Sequence, residues 1–481
     1  MTDGQQKKFA MENIERNSKS IALLCDNIFY FAELGMQEFE TSGLMMQVLE
    51  TAGFTIERNP SGMPTGFIAS YGSSKPVIAL HTEFDATPGC SQAPGVAEPT
   101  PIVDGAPGHT EGHNVNGAVM IGAALAIKKT IDECGVKGTL KVFGAPAEEQ
   151  LVSRPYFVRD GYFKDVDVAL HDHIGKELGT VYGLRQYALI SAEFTFKGQS
   201  AHAATAPWNA RDALDAAVLM DIGWDKLREH LEPTQRSHRV ITNGGDQPNV
   251  IPNRSTIWWF FREATAEKTR ALFEKAKRVA QGAAMMTETS YDVNVLSAVW
   301  PTRANRTLAE VIQKNIEEIG MPQWTEGEQK LVHEVQTKVK AKPTGMPTKV
   351  APLKECVQSV SANDSGEVSW VVPTGLISFP SNIPGVSYHH WSAGVSLATS
   401  IAHKGAIAGA KAMAASAIDL LLEPQIVAKA KETFKQEIGD VEYRPLLPPD
   451  QKPPLELNRD LMERYRPKMR EHYLKERPEF R

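Results

Sequence analysis

The sequence predicts an α/β fold in which a small βαββαβ unit interrupts a larger domain. Two patterns carry this. Short apolar runs bounded by Gly, Ser and Pro alternate with segments whose apolar residues recur at helical spacing, as in an α/β domain. Over 189–298 the order becomes strand, helix, strand, strand, helix, strand, the ferredoxin-like arrangement, and helix signals resume after Pro301.

Each element follows from its own pattern. Ile21, Leu24, Ile28 and Phe31, then Leu44, Val48 and Leu49, place helices within 12–52. The runs 66–71 and 76–80 read as short buried strands, followed by a polar stretch rich in Pro and Gly over 87–108. Small residues at helical spacing mark a helix over 116–134, and 138–143 and 166–170 read as strands. In the interrupting unit, strands 189–196, 239–243, 256–261 and 291–297 accompany helices 210–230 and 267–284. Helices return at 307–319 and at 400–422, the latter alanine-rich and suited to close packing. After about Leu446, the pairs Pro448-Pro449 and Pro453-Pro454 and a dense mix of Arg, Lys and Glu describe an extended arm with one helix over 456–475. That arm reads equally as a solvated tail or as a segment packed on a neighbouring subunit.

Composition bounds the partners. At 481 residues the chain has room for two or three domains and a large core. A net charge of −6 and a pI near 6.2 give no reason to expect nucleic acid. Cys25, Cys90, Cys134 and Cys356 form no CxxC pair, which points to a reducing compartment. The amino-terminal segment is polar, and the apolar run 117–127 is well short of the ~20 residues that span a bilayer. The expectation is a cytoplasmic protein with no membrane partner.

The chemistry gathers in a few compact segments. Of thirteen histidines, eight fall in them: His81, His109, His113, His171, His173, His202, His389 and His390. Acids stand beside several of these, as in His81-Thr82-Glu83-Phe84-Asp85 and in Gly108-His109-Thr110-Glu111-Gly112-His113-Asn114, while Glu148-Glu149 follows the strand ending at Phe143. Each segment falls at a predicted strand end or helix start, where open α/β sheets bind ligands. Imidazole with carboxylate suits Zn, Mn, Co or Ni. The pair Glu148-Glu149 permits a division of labour, one carboxylate holding metal while its neighbour moves a proton.

Taken together, the segments "AELGMQEFET", "KPVIALHTEFDATPG", "GHTEGHNVNGA", "FGAPAEE", "FKGQSAHAATAPWNARDALDA", "QPNVIP", "GEVSW" and "SIAHKGAIAGAKAMA" resemble the metallopeptidase–amidohydrolase family of carboxypeptidase G, aminoacylases and auxin-conjugate hydrolases. The resemblance runs from the first helices to about Leu422. It implies a mixed-sheet catalytic domain in two parts, 1–188 and 299–430, a lid or dimerisation domain over 189–298, and a carboxyl-terminal arm over 431–481. It also implies one or two divalent metals (Mn, Co or Zn) per subunit and a homodimer or larger homo-oligomer, with a sister subunit as a further candidate partner.

Carried over residue by residue, His113 resembles a ligand able to bridge two metals. Glu149, His173 and His389 resemble further ligands, and Glu148 the general base. Glu111 stands where relatives in the auxin-conjugate branch have Cys, so a hard oxygen replaces sulfur and shifts preference toward Mn or Co. Glu83, Asp85, His109, His171 and His390 are candidates for ligands or for groups supporting them, Asp85 as an orienting group. His81 is out of register and is read as lining the pocket. His202 resembles the residue that reaches across the dimer to polarise the scissile carbonyl. Asn249 and Arg262 resemble the pair that holds a substrate carboxylate. The implied reaction is metal-assisted hydrolysis of an N-acyl, especially aroyl, amino acid. Hydrolytic deamination of an activated aromatic or amidine carbon, and a non-catalytic subunit role, are the alternatives.

Overall fold

A narrow apolar stripe, Ala10 and Ile14, folds the chain's start into helix α1 (Asp3–Arg16), ahead of the expected onset at residue 12. So polar a segment hides its buried face: Lys7 is itself buried, held by Asp419 and Asn315. Helices α2 (Ser18–Phe31) and α3 (Phe39–Thr51) follow, then strands β1 (Thr55–Arg58), β2 (Phe67–Gly72) and β3 (Val77–Glu83). Next come α4 (His113–Cys134), β4 (Thr139–Ala145), α5 (Ser153–Arg159), β5 (Val168–Gly175) and β6 (Val181–Leu184). The interrupting unit comprises β7 (Ala188–Lys197), α6 (Ala213–Arg228), β8 (Arg236–Asn243), β9 (Arg254–Glu263), α7 (Ala266–Thr287) and β10 (Ser290–Val299). Then come β11 (Arg303–Ala304), α8 (Arg306–Ile319), α9 (Glu326–Lys338), β12 (Lys354–Glu355), α10 (Ser365–Val368), β13 (Thr374–Pro380), α11 (Trp391–Gly394), α12 (Ser400–Leu422), α13 (Pro424–Ile438) and α14 (Arg459–Met469). This computed structural model describes residues 2–481.

The large sheet has the order β1-β2-β4-β3-β5-β13 and is mixed. β1, β2 and β4 pair antiparallel, whereas β4, β3, β5 and β13 run parallel. Every residue of β3 is buried, as a central parallel strand covered on both faces requires. Strand β13 has no clear signal in the sequence, because Pro373, Gly375 and Pro380 break its apolar run. Strand β5 differs from the expected 166–170: it continues through His171, Asp172 and His173, polar residues that read as a loop.

Helices α4 and α12 pack on each other and against the sheet, with α1 and α2 outside them. Small residues make this possible: a Cβ on Gly405 would stand 2.4 Å from the carbonyl oxygen of Pro380. Among the described residues, α12, rather than the run 117–127, is the one helix long and apolar enough to cross a membrane by length and composition. In the fold 83% of its most apolar window is buried, as a core helix.

The interrupting unit forms an antiparallel sheet of order β10-β7-β9-β8, covered by α6 and α7 around Phe194, Trp224, Trp259 and Phe261. β8 is its open edge, with Val240 and Ile241 exposed.

The carboxyl-terminal arm departs from both sequence readings, since it folds back on its own chain. Asn27 donates to the carbonyl of Glu476, Asn17 to that of Arg481, and Gln37 to those of Leu455 and Leu457. Arg466 pairs with the fully buried Glu33, and Met462 and Met469 are buried. Helix α14 is shorter than the expected 456–475; Pro467 lies in its last turn.

Candidate active site

The candidate site lies where β3, β4, β5 and β13 end, the crevice in which an open parallel sheet presents its loops. Each strand end delivers a group. β3 carries Glu83 as its last residue, with Asp85 just beyond. After β4, a tight turn bounded by Ala147 and Leu151, both at positive φ, presents Glu148 and Glu149. His171 and His173 alternate with Asp172 on β5 and therefore share a face. The loop after β13 brings His389, and the entry to α4 brings Glu111 and His113. Gly112 between them sits at φ +70, where a Cβ would meet Ile174 at 2.3 Å, so only glycine turns the chain there.

These groups converge. Nε2 of His389 lies 2.8 Å from Glu111 and 3.1 Å from Glu149. Nε2 of His173 lies 3.9 Å from the other oxygen of Glu111 and 3.7 Å from Glu83. Nε2 of His113 lies 3.7 Å from Glu148. Three sets of potential ligands each draw together within 4.8 Å: Glu83, His113 and His173; Glu111, Glu149 and His389; His113, Glu148 and Glu149.

The surroundings set the tautomers. Nδ1 of His113 faces two acceptors, the carbonyl of Asp85 at 3.0 Å and its carboxylate at 3.2 Å, so this nitrogen carries the proton. Nε2 is fully buried and without a hydrogen-bond partner. His173 likewise gives Nδ1 to the carbonyl of Ile174 at 3.0 Å and turns Nε2 to the cluster. The second oxygen of Asp85 accepts from the backbone N–H of Glu149 at 3.0 Å, so one carboxylate orients two of the converging residues. Burial raises the carboxyls of Glu148 and Glu149; with Glu111 beside it, Glu149 is pushed up to about 7. An orphaned imidazole nitrogen amid crowded carboxylates is a donor set that fits a divalent metal, with N and O ligands of the kind Mn, Co and Zn take.

Several candidates stand elsewhere. His109 gives Nε2 to the carbonyl of Ile28 at 3.1 Å and stacks on Phe29, so it does not reach the cluster. His390 caps α11, accepting from the N–H of Ser392. His171, by contrast, does line the cavity, with Nε2 bonded to Glu83 at 3.0 Å and its ring stacked on His81 at 4.9 Å. His81 lies in the core of β3, fully buried, and does not line the cavity. His202 and Asn249 meet in the interrupting unit, where the N–H of Ala203 donates to the carbonyl of Asn249; both are exposed and neither lines the cavity. Arg262, from β9, does line it.

The cavity holds about 240 Å³, and Glu111, Glu148, Glu149, His173 and His389 are among its lining residues. Beneath it, the fully buried Arg154 pairs with Glu83 and Asp364 and donates Nε to Nδ1 of His81 at 3.1 Å. Arg154 and Asp364 escaped the sequence reading. An Arg-Pro at a helix start resembles a solvated turn, and only its place just after Glu148-Glu149 hints otherwise. Arg185, Tyr388 and Asn363, also in the cavity wall, carried no signal.

Residues 184–285 match the peptidase dimerisation domain. The chain is 32% identical to the B subunit of p-aminobenzoyl-glutamate hydrolase from Escherichia coli, over 92% of its own length and 97% of that protein's. It is 26% identical to the Xaa-Arg dipeptidase of Mus musculus, over 90% and 93% of the two chains. Among solved structures, an aminobenzoyl-glutamate utilization protein from Klebsiella pneumoniae superposes with a TM-score of 0.59 at 17% identity, covering 84% of this chain and 97% of that one. A dinuclear metal-binding peptidase of the M20 family from Bacillus subtilis superposes at 0.54 and 18%, covering 85% and 99%.

Proposed function

Because the chain belongs to the metallopeptidase–amidohydrolase (M20) family, and is thus a hydrolase of C–N bonds, we propose that it cleaves the amide of an N-acyl, p-aminobenzoyl-glutamate-like amino acid in a metal-dependent reaction. The observation that carries this is Nε2 of His113: buried, unpartnered, and facing Glu148. Glu111, His113, Glu149, His173 and His389 would hold one or two divalent ions. Once bound, the metal supplies Lewis-acid activation of water and of the scissile carbonyl.

The chain's own groups do the rest. Glu148 takes a proton from the attacking water as the new C–O bond forms, and delivers it to the nitrogen as the C–N bond breaks, leaving a carboxylic acid and an amine. Burial suits it to this shuttle, since a carboxyl held above its usual range accepts the transferred proton near neutrality more readily than a solvated one does. Arg262 holds the carboxylate of the amine half with a planar fork. The lid also joins two copies along its exposed β8 edge, and His202 and Asn249 then serve the neighbour's cavity.

The test is Glu148→Gln, assayed with a panel of aroyl amino acids and quantifying acid, amine and ammonia separately. The variant should keep its metal and lose turnover by about 10²–10⁴-fold, because an amide accepts no proton. Near-native turnover would remove Glu148 from the reaction, and ammonia without an amino acid would indicate deamination.

A further inference from the structure

Two backbone amides flank Glu148 in the chain, and a buried carboxylate holds each. After it, the N–H of Glu149 donates to Asp85 at 3.0 Å. Before it, the N–H of Ala147 donates to Oε1 of Glu38 at 2.8 Å, while Oε2 of Glu38 accepts from the hydroxyl of Thr65 at 2.8 Å. Glu38 is fully buried and does not line the cavity. Burial, reinforced by the Asp85 charge, raises its carboxyl well above the usual range; ionised or neutral, it keeps an oxygen for Ala147. That amide matters because Ala147 stands at φ +57, a conformation that a non-glycine residue keeps only where its neighbours enforce it. The Glu148 carboxylate meets Nε2 of His113 only at 3.7 Å, beyond hydrogen-bonding distance, so its place depends on this backbone.

Glu38 closes the loop 32–38 between α2 and α3, and that loop is gripped from two directions. Toward the site, Gly35 lies so near the turn that a Cβ on it would stand 2.8 Å from Cα of Ala147. The carbonyl of Glu33 also accepts from the N–H of Ala86, the residue after Asp85, at 2.7 Å. From the other direction comes the carboxyl-terminal arm. Asn458 donates to the carbonyl of Gly35 at 2.9 Å, Arg466 donates to that of Gln37 at 2.8 Å, and Arg466 also pairs with Glu33. The contacts are continuous from the arm to the loop, to Glu38, to Ala147 and so to Glu148. We propose that Glu38 is a positioning residue for Glu148, and that the carboxyl-terminal arm is the brace that keeps its loop in place. This assignment rests on the reading of Glu148 as the general base and extends it to what holds the base.

Two readouts separate the brace from the reaction. Hydrogen exchange of the metal-free chain, read by mass spectrometry, follows the peptide 144–152. Turnover of p-aminobenzoyl-glutamate by manganese-loaded chains, with bound manganese measured, follows the base. Glu38→Ala should speed exchange in that peptide about 10-fold and leave the rest of the large sheet unchanged. It should lower kcat about 10²-fold with KM and bound manganese retained, the effect of misplacing a reacting group by about 1 Å. Glu38→Gln, whose amide oxygen still accepts from Ala147, should recover most of both. If Glu38→Ala does not fold, Glu38→Asp withdraws the acceptor by one methylene and should show the same local change. Asn458→Gly combined with Arg466→Lys weakens the arm's grip while leaving a cation beside Glu33, and should speed exchange at 144–152 about 3–10-fold. Unchanged exchange there in the Glu38 variants, acceleration spread over the whole chain, or full kcat despite faster exchange overturns the positioning role. Unchanged exchange there in the arm variant overturns the brace. Exchange that responds as expected, without hydrolysis by the parent chain, leaves the brace and removes the amidohydrolase reading; hydrolysis by the parent with unchanged exchange does the reverse.

Discussion

Oε1 of Glu111 lies 2.8 Å from Nε2 of His389, while its other oxygen lies 3.9 Å from Nε2 of His173. One carboxylate therefore faces two of the converging imidazoles. A carboxylate favours harder ions than a thiolate does. The isolated protein should accordingly retain manganese or cobalt in preference to zinc when offered all three. Glu111→Cys should move the preference toward zinc, as read by elemental analysis after competitive loading. Unchanged selectivity would place Glu111 outside the coordination sphere.

Asp85 supports two of the same residues without entering the cavity, through Nδ1 of His113 and the N–H of Glu149. Removing such a support typically weakens metal binding about 10–100-fold. Asp85→Ala should show that loss in a chelator competition, with the thermal midpoint of the metal-free protein little altered. Native metal affinity would reduce Asp85 to a packing group.

How far the sequence reached depends on which signal a residue carries. Segments with strong periodicity, such as 400–422, coincide with α12 to the residue, because a buried apolar helix has nothing to compete with its pattern. Strand β13 did not stand out because its prolines and glycine speak against a strand, and only pairing with β5 outweighs them. At the site, Glu111, His113, Glu149, His173 and His389 stood out as imidazole and carboxylate clusters, and the fold brings them together. Arg154 and Arg185 did not, because an isolated arginine reads as solvated surface until burial or a shared cavity is known.

Arg154 bears directly on stability. It is fully buried between Glu83 and Asp364, both also fully buried. Arg154→Leu strands two carboxylates in the core, which should cost about 3–5 kcal/mol. Adding Glu83→Gln and Asp364→Asn should recover part of that loss. A cost below about 1 kcal/mol, the value of an exposed pair, would show that the trio is hydrated.

A pH effect follows from Glu367. It is buried, accepts from the N–H of Trp300 at 2.8 Å and from the hydroxyl of Tyr443 at 2.5 Å, and burial pushes its carboxyl up to about 7. The native chain thus holds a proton that the unfolded chain, with a glutamate pKa of about 4.3, releases. This group's contribution to stability falls as pH rises from about 4.3 to about 7 and is level above. Glu367→Gln carries no such proton, so its thermal midpoint relative to wild type should climb across that window. Parallel midpoints from about pH 4.5 to about pH 8 would contradict the burial effect.

His202 is exposed and absent from its own chain's cavity, beside Asn249 on the lid. If both act on a neighbour, each site needs Glu148 from one chain and His202 from the other. A His202→Ala chain and a Glu148→Gln chain, each impaired alone, should then complement. In a mixed dimer, the site built on the first chain has its own Glu148 and its partner's His202, while the other site has neither. Random exchange of equal amounts makes half the dimers mixed, each with one intact site, so activity should return to about one quarter of wild type. Exchange is verified by mass, using chains of distinguishable length. Verified exchange without recovered activity would mean that His202 serves its own chain's site or takes no part in the reaction.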